Sequence, residues 1–124
     1  LLDIDFFKAI NDKFGHEAGD QALKQVASLL RSSFKGFTVA RVGGEEFAIV
    51  LADISLEQAY PLLDAFRSRL AAYDFVINGQ SFTITVSIGL ANFQNVTLTS
   101  AMRLADKALY QAKAQDRDCV VQQR

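Results

Sequence analysis

The stretch RVGGEEFAIVL, Arg41 to Leu51, decides how the chain is read. Val39, Val42 and the run Phe47-Ala48-Ile49-Val50-Leu51 are β-branched or apolar, as buried strands are. Between them Gly43-Gly44 signals a hairpin, since both central residues of a tight two-residue turn tend to need positive φ. Glu45 and Glu46 follow at once. Adjacent acids at the mouth of a buried hairpin repel each other, and a cation between them relieves the repulsion. Glycines without side chains also let the phosphates of a ligand approach the backbone closely. A solvated turn is the alternative reading of GGEE alone, and the decision rests on the rest of the chain.

Working outward, Leu1 to Ile4 reads as a short buried strand and Phe6 to Phe14 as a short helix, broken at Gly15-His16. From Glu17 to about Phe34 the apolar Ala22, Leu23, Val26, Leu30 and Phe34 recur at helical spacing. The hairpin covers Thr38 to Leu51. Ser55 is placed to cap the next helix, whose buried stripe is Leu56, Ala59, Leu63, Phe66 and Leu70; only Pro61 argues against it. Asn78-Gly79 is the strongest short turn, joining Phe75-Val76-Ile77 to an alternating strand from Phe82 to Ile88. Thr99 or Ser100 caps a last helix running to about Ala114, with Leu104, Ala108 and Ala112 inward. Val120-Val121 reads as an edge strand. The order strand, helix, strand-strand, helix, strand is a ferredoxin-like plan with additions. It predicts an α+β fold, an antiparallel-rich sheet flanked by helices.

At 124 residues the chain forms one domain, residues 1 to 124, long enough to bury roughly two-thirds of its unfolded surface. Its 13 basic and 14 acidic residues nearly cancel, which removes any case for bulk attraction to nucleic acid or anionic lipid. The single cysteine, Cys119, excludes an internal disulfide, and no Cys/His cluster suggests zinc. A reducing, cytoplasmic setting follows, with no apolar run near the ~20 residues of a membrane span. The opening Leu1-Leu2-Asp3-Ile4-Asp5 looks like the end of a strand, so the expectation is a fragment truncated at its N-terminus.

In this plan the strand carrying Asp3 lies beside the hairpin carrying Glu45, and the two carboxylates converge on Mg²⁺, with Mn²⁺ as an alternative. Mg²⁺ takes hard oxygens, often one or two carboxylates plus substrate phosphates. Helix capping is the competing role for Asp3 and Asp5. Neighbours in an extended segment alternate faces, so Glu45, nearer the turn, is the expected primary ligand rather than Glu46.

The motifs Asp3-Ile-Asp-Phe-Phe-Lys-Ala-Ile-Asn-Asp12, Gly15-His-Glu-Ala-Gly-Asp20, Arg41-Val-Gly-Gly-Glu-Glu-Phe47, Thr85-Val-Ser-Ile-Gly89 and Ala105-Asp-Lys-Ala-Leu-Tyr-Gln-Ala-Lys113 together resemble GGDEF domains, the diguanylate cyclases, across nearly the whole chain. The resemblance implies a fold similar to nucleotidyl-cyclase and polymerase palm domains, and condensation of two GTP into cyclic di-GMP with release of pyrophosphate. By position, Asp3, the Ile4 carbonyl and Glu45 hold Mg²⁺, Asn11 and Asp20 read guanine, and Lys113 and Arg117 hold the terminal phosphates, assisted by Lys8 and the Phe6-Phe7 backbone. Glu45, or failing it Glu46, takes the proton. Guanine offers N1–H and N2–H₂ donors that a carboxylate such as Asp20 accepts; adenine lacks that pair. A sensor module upstream and a catalytic homodimer, weak in isolation, are the implied partners. In that setting the full-length protein has room for a membrane anchor outside this domain.

The chain departs from the family pattern in two places. An Arg-x-x-Asp product-binding motif precedes the hairpin in many members; Phe34 and Phe37 stand at those positions, so no product-inhibition site is expected. The usual Gly-Arg-Asn near the end reads Asp116-Arg117-Asp118, which loses an easy left-handed glycine and puts two acids where they compete with phosphate for Arg117. A degenerate module that binds GTP without turnover and regulates an attached partner is the alternative function.

Overall fold

The computed structural model of the chain describes Leu1 to Gln123. Its elements are β1 (Leu2–Ile4), α1 (Phe7–Phe14), α2 (His16–Ser33), β2 (Thr38–Gly43), β3 (Glu46–Val50), α3 (Leu56–Ala71), β4 (Phe75–Ile77), β5 (Gln80–Phe82), β6 (Val86–Ala91), α4 (Leu98–Ala114) and β7 (Val120–Gln123). Five strands form one sheet in the order β2-β3-β1-β6-β7, with β4 and β5 as a separate ribbon. Every pairing in the main sheet is antiparallel except β6 with β7. The expected α+β, antiparallel-rich plan is present.

The shortest strand sits at the centre and sets the two faces. Leu2 stands opposite Phe47 on β3 and Ile88 on β6, while Asp3 stands opposite Glu46 and Ser87. Residues directly opposite share a face and neighbours alternate, so one face is apolar and the other carries the acids. The apolar face, Leu2, Ile4, Phe47, Val86 and Ile88, packs with Val26 and Leu30 of α2 and Leu63, Phe66 and Leu70 of α3 in one buried cluster. Each such side chain contributes about 1.5–3 kcal/mol on leaving water.

Helix α4 covers the opposite face and reaches the backbone of β6 itself. A Cβ built on Gly89 would lie 2.1 Å from the Ala105 carbonyl oxygen and 2.4 Å from the Leu109 nitrogen. Only glycine fits there, and the inward residues Ala101, Ala105, Ala108 and Ala112 are small for the same reason. This close seat fixes where Lys113, in the last turn of α4, meets the sheet.

Several boundaries differ from the sequence reading. The hairpin turn is Gly44-Glu45, with Gly43 the last residue of β2, and neither glycine has positive φ. A register irregularity between Arg41 and Gly43 shifts the turn by one residue. The strand expected from Phe82 to Ile88 is divided: Phe82 ends β5 in the ribbon, and β6 begins at Val86 in the main sheet. Alternation persists through the break because Phe82 packs against the core and Ile84 is buried in it. Thr97, not Thr99 or Ser100, caps α4, its hydroxyl accepting from the Ser100 N–H at 3.1 Å. Leu104 is only half-buried, and Ala105 and Leu109 take the inward positions. Phe6 lies outside α1, in a left-handed conformation with φ 56°. Pro61 is accommodated inside α3, where Ser55 and Gln58 form a capping box at the start. Asn78 and Gly79 both have positive φ, as the expected tight turn demands.

Candidate active site at the end of the central strand

The end of β1 is where charge collects. Asp3 is 7% exposed, buried among apolar neighbours because β1 is central, yet it is a carboxylate. Its partner across the ladder, Glu46, projects from the same face, and Glu45 occupies the turn beside it, with its carbonyl accepting the Ile4 N–H at 3.2 Å. Burial pushes the Asp3 carboxyl above its ordinary value; the hydrogen bond and charge of Lys113 oppose that, while Glu45 and Asp5 add to it. Glu46 is raised as well, first by burial and then by the charges of Asp3 and Asp106. Lys113 Nζ donates to Asp3 Oδ2 at 2.8 Å, the one cation that bonds directly to these acids among the described residues.

One lysine therefore bonds to Asp3, while Glu46 has burial and two neighbouring acids raising it against the weaker opposing charges of Lys113 and the N-terminus. Among the described residues no three His, Cys, Asp or Glu side chains are placed to hold a metal. Two carboxylates and a main-chain carbonyl do suit Mg²⁺, which keeps several ligands from water and substrate phosphates. The turn leaves room for such a substrate: a Cβ on Gly43 or Gly44 would meet nothing within 4 Å. Arg41 Nε donates to the Gly44 carbonyl at 2.9 Å and braces the turn.

A second cluster lies between α1 and α2. Asn11 Oδ1 is buried and accepts no hydrogen bond among the described residues. Gly19 lies against it, since a Cβ there would stand 1.8 Å from that oxygen. Asp20, the next residue, is exposed at the edge of a concavity of about 410 Å³ lined also by Leu23, Lys24, Arg31, Arg41 and Phe47. Neither Asn11 nor Gly19 lines this concavity; Asn11 is linked to Asp20 only through Gly19, the residue before it in the chain.

The third cluster is at the exit of α4. Asp116, Arg117 and Asp118 all have left-handed φ, 66°, 63° and 46°. The Arg117 guanidinium stacks 4.7 Å from the centre of the Phe6 ring, which is 62% exposed. Phe7 packs partly into the core and Lys8 is exposed. Asp118 does not compete for Arg117: its carboxylate accepts from Arg67 at 2.8 Å, and Arg67 also binds Asp64. Phe34, at the expected product-site position, is 4% exposed and packs its ring 5.5 Å from that of Phe66; Phe37 packs partly into the same core.

Sequence reasoning missed Asp106, whose charge reaches Glu46 from α4, and it missed Arg67 and Asp64. Each acts through packing of helices on the sheet, and helical periodicity marks it only as exposed. Glu46, ranked below Glu45 in the sequence reading, stands directly opposite Asp3 on the ladder.

The class is an α+β domain whose central strand carries a buried acid, Asp3, paired across the ladder with Glu46 of the neighbouring hairpin. The chain belongs to the GGDEF family: the profile described as "Diguanylate cyclase, GGDEF domain" matches residues 1–119. It is 44% identical over 120 residues to the diguanylate cyclase DgcP of Pseudomonas aeruginosa, covering 95% of this chain and 18% of that protein. It is 38% identical over 123 residues to diguanylate cyclase A of Treponema denticola, covering 97% and 33%. Among solved structures, the active GGEEF domain of a diguanylate cyclase from Vibrio cholerae is 36% identical, with a TM-score of 0.88 over 99% of this chain and 80% of that one. The GGDEF domain of DgcB from Caulobacter crescentus, in complex with c-di-GMP, is 34% identical, with a TM-score of 0.90 over 98% and 74%. The chain spans between 18% and 34% of the length of such curated relatives. Among the described residues no helix is long and apolar enough to cross a membrane.

Proposed function

We propose that the protein carrying this chain condenses two GTP molecules into cyclic di-GMP in the cytoplasm, with Asp3, the Ile4 carbonyl and Glu45 holding Mg²⁺. The observation that carries the reading is the meeting of Asp3 and Glu46 across the ladder with Glu45 in the adjoining turn, where burial first and then the charges of neighbouring acids raise Asp3 and Glu46. A divalent cation bound there would offset these charges, with substrate phosphates completing its ligands. When bound, the metal acidifies the attacking 3′-hydroxyl and offsets charge on the phosphates.

The chain's own groups supply the rest. Each 3′-oxygen attacks the α-phosphorus of the other nucleotide, forming two P–O bonds as two pyrophosphates leave. The hydroxyl proton passes to Glu45, or to Glu46 opposite Asp3. Asn11 and Asp20 accept from the guanine Watson–Crick edge; Asn11 Oδ1 has no hydrogen-bond partner among the described residues and must turn from its buried seat against Gly19 to meet the base. Lys113, Arg117, Lys8 and the Phe6 and Phe7 main chain hold the terminal phosphates. Lys113 thereby shares its ammonium between Asp3 and substrate.

Glu45→Gln tests the assignment. The turn tolerates the change sterically, so the fold should persist by circular dichroism, while cyclic di-GMP formation falls by at least ~10³-fold and Mg²⁺-dependent GTP binding weakens. Full activity in a folded Glu45→Gln protein would remove Glu45 from the site.

A further inference from the structure

Asp5 is 4% exposed, and its carboxylate is fully engaged. Thr85 Oγ1 donates to Oδ2 at 2.8 Å, Ser87 Oγ to Oδ1 at 2.6 Å, and the Asp118 main-chain N–H to Oδ2 at 3.0 Å. Its own N–H donates to the Thr85 carbonyl at 2.9 Å. One side chain thus ties the end of β1 to β6 and to the segment leaving α4.

Its neighbours in sequence and space give these bonds a consequence. The residue after Asp5 is Phe6, held left-handed with its ring outward; the residue before Asp118 is Arg117, whose guanidinium lies on that ring. Asp5 therefore grips both sides of the Arg117–Phe6 stack, one through its backbone and one through its carboxylate. The grip matters because Asp116, Arg117 and Asp118 are all left-handed without a glycine among them. Such a run persists only where surrounding contacts over-determine it. Beside the Arg117–Phe6 stack, three hydrogen bonds among the described residues hold the run: Asp5 with the Asp118 N–H, Arg67 with the Asp118 carboxylate, and the Ala112 carbonyl with the Arg117 N–H at 3.0 Å.

We propose that Asp5 is a positioning residue for Arg117, holding the guanidinium over Phe6 where it meets the terminal phosphates of GTP. The proposal rests on the assignment of Arg117 to those phosphates. It gives the second acid of the Asp3-Ile4-Asp5 run a role separate from the metal. Among the described residues Asp3 accepts from the Lys113 ammonium, whereas Asp5 accepts only from hydroxyls and a main-chain amide.

The test compares binding of a non-hydrolysable GTP analogue with binding of GMP, which lacks the terminal phosphates, in the presence of Mg²⁺. Arg117→Ala should weaken the analogue about tenfold and leave GMP unchanged. Asp5→Ala should do the same, and Asp5→Asn, which keeps the shape and one acceptor but loses the charge, should weaken the analogue about threefold. The double variant Asp5→Ala/Arg117→Ala should be no worse than Arg117→Ala alone, since both remove one interaction. Asp5→Asn decides the matter if Asp5→Ala does not fold. Asp5 variants that bind the analogue like the parent, weaken GMP equally, or add to Arg117→Ala overturn the proposal while the phosphate role of Arg117 stands. An unchanged analogue-to-GMP ratio in Arg117→Ala itself overturns both.

Discussion

Gly19 shows how much of a site can depend on an atom that is missing. A methyl group there would stand 1.8 Å from Asn11 Oδ1 and 3.2 Å from Phe7 Cζ, so a side chain at this position must displace the Asn11 amide. Overpacking of this kind costs about 1–3 kcal/mol of stability. The larger effect falls on selectivity, because the displaced oxygen is the unpartnered acceptor assigned to guanine. Gly19→Ala should remain folded and lose at least about tenfold of the preference for GTP over ATP, measured by competition binding. Retained preference would mean that Asp20 reads the base alone. The sequence made Asn11 and Asp20 visible through their motifs, but Gly19 carried no signal of its own beyond being small. Asp5 was equally ambiguous: beside Asp3 it read as a helix cap or a ligand, and only the fold brings Thr85, Ser87 and Asp118 to it. Local residue types name the chemistry available, and long-range contacts select which part of it is used.

Among the elements, β1 and the β2–β3 hairpin carry the electrostatic cost of the site. Asp3 and Glu46 are cross-strand partners, and both are raised above ordinary carboxylate values, burial being the largest cause for each. A carboxyl raised in the folded state holds its proton there after the unfolded chain has released it. Its contribution to stability therefore falls as pH climbs from the ordinary carboxylate range through the raised value. In the absence of divalent ions, Glu46→Gln should flatten that part of the pH dependence and melt higher than the parent at pH 7. Added Mg²⁺ should raise the parent's melting temperature at pH 7 more than the variant's, as a ligand that binds only the folded state does. Identical profiles for parent and variant, by thermal denaturation across pH, would show that Glu46 carries no such strain. The pairing of these elements was legible from order alone, since a short strand followed by helices and a hairpin returns the hairpin beside it. The turn itself was misplaced by one residue, because a register irregularity is a property of the ladder and not of Gly43-Gly44. The division of Phe82 to Ile88 between two sheets was hidden for a similar reason. Both halves bury alternate residues, so the period continues where the hydrogen bonding does not.

At the scale of the whole molecule the proposed chemistry asks for more than one copy. On the proposed function, a single domain has one set of Asp3, Glu45, Asn11 and Asp20 to hold one GTP, whereas cyclic di-GMP contains two phosphodiester bonds between two nucleotides. Each 3′-hydroxyl must be aimed at the other nucleotide's α-phosphate. A two-fold pair of domains meets that requirement, each half presenting the same groups to its partner's nucleotide. Phe6 and Lys8 are exposed and Arg117 lies half-buried over the Phe6 ring, so the groups assigned to the phosphates are not covered by the rest of the described chain. No heptad seam in the sequence offers a coiled-coil contact that would hold two copies together without substrate. The isolated chain should therefore be monomeric or weakly dimeric by analytical ultracentrifugation. Its rate of cyclic di-GMP formation at low concentration should rise roughly with the square of protein concentration, because the active species is the pair. Fusing a dimerising helix to the N-terminus should raise activity at a fixed low concentration and make the rate linear in protein. Specific activity that stays constant on dilution of a proven monomer would mean that one domain carries both nucleotides, and the two-fold mechanism would have to be abandoned.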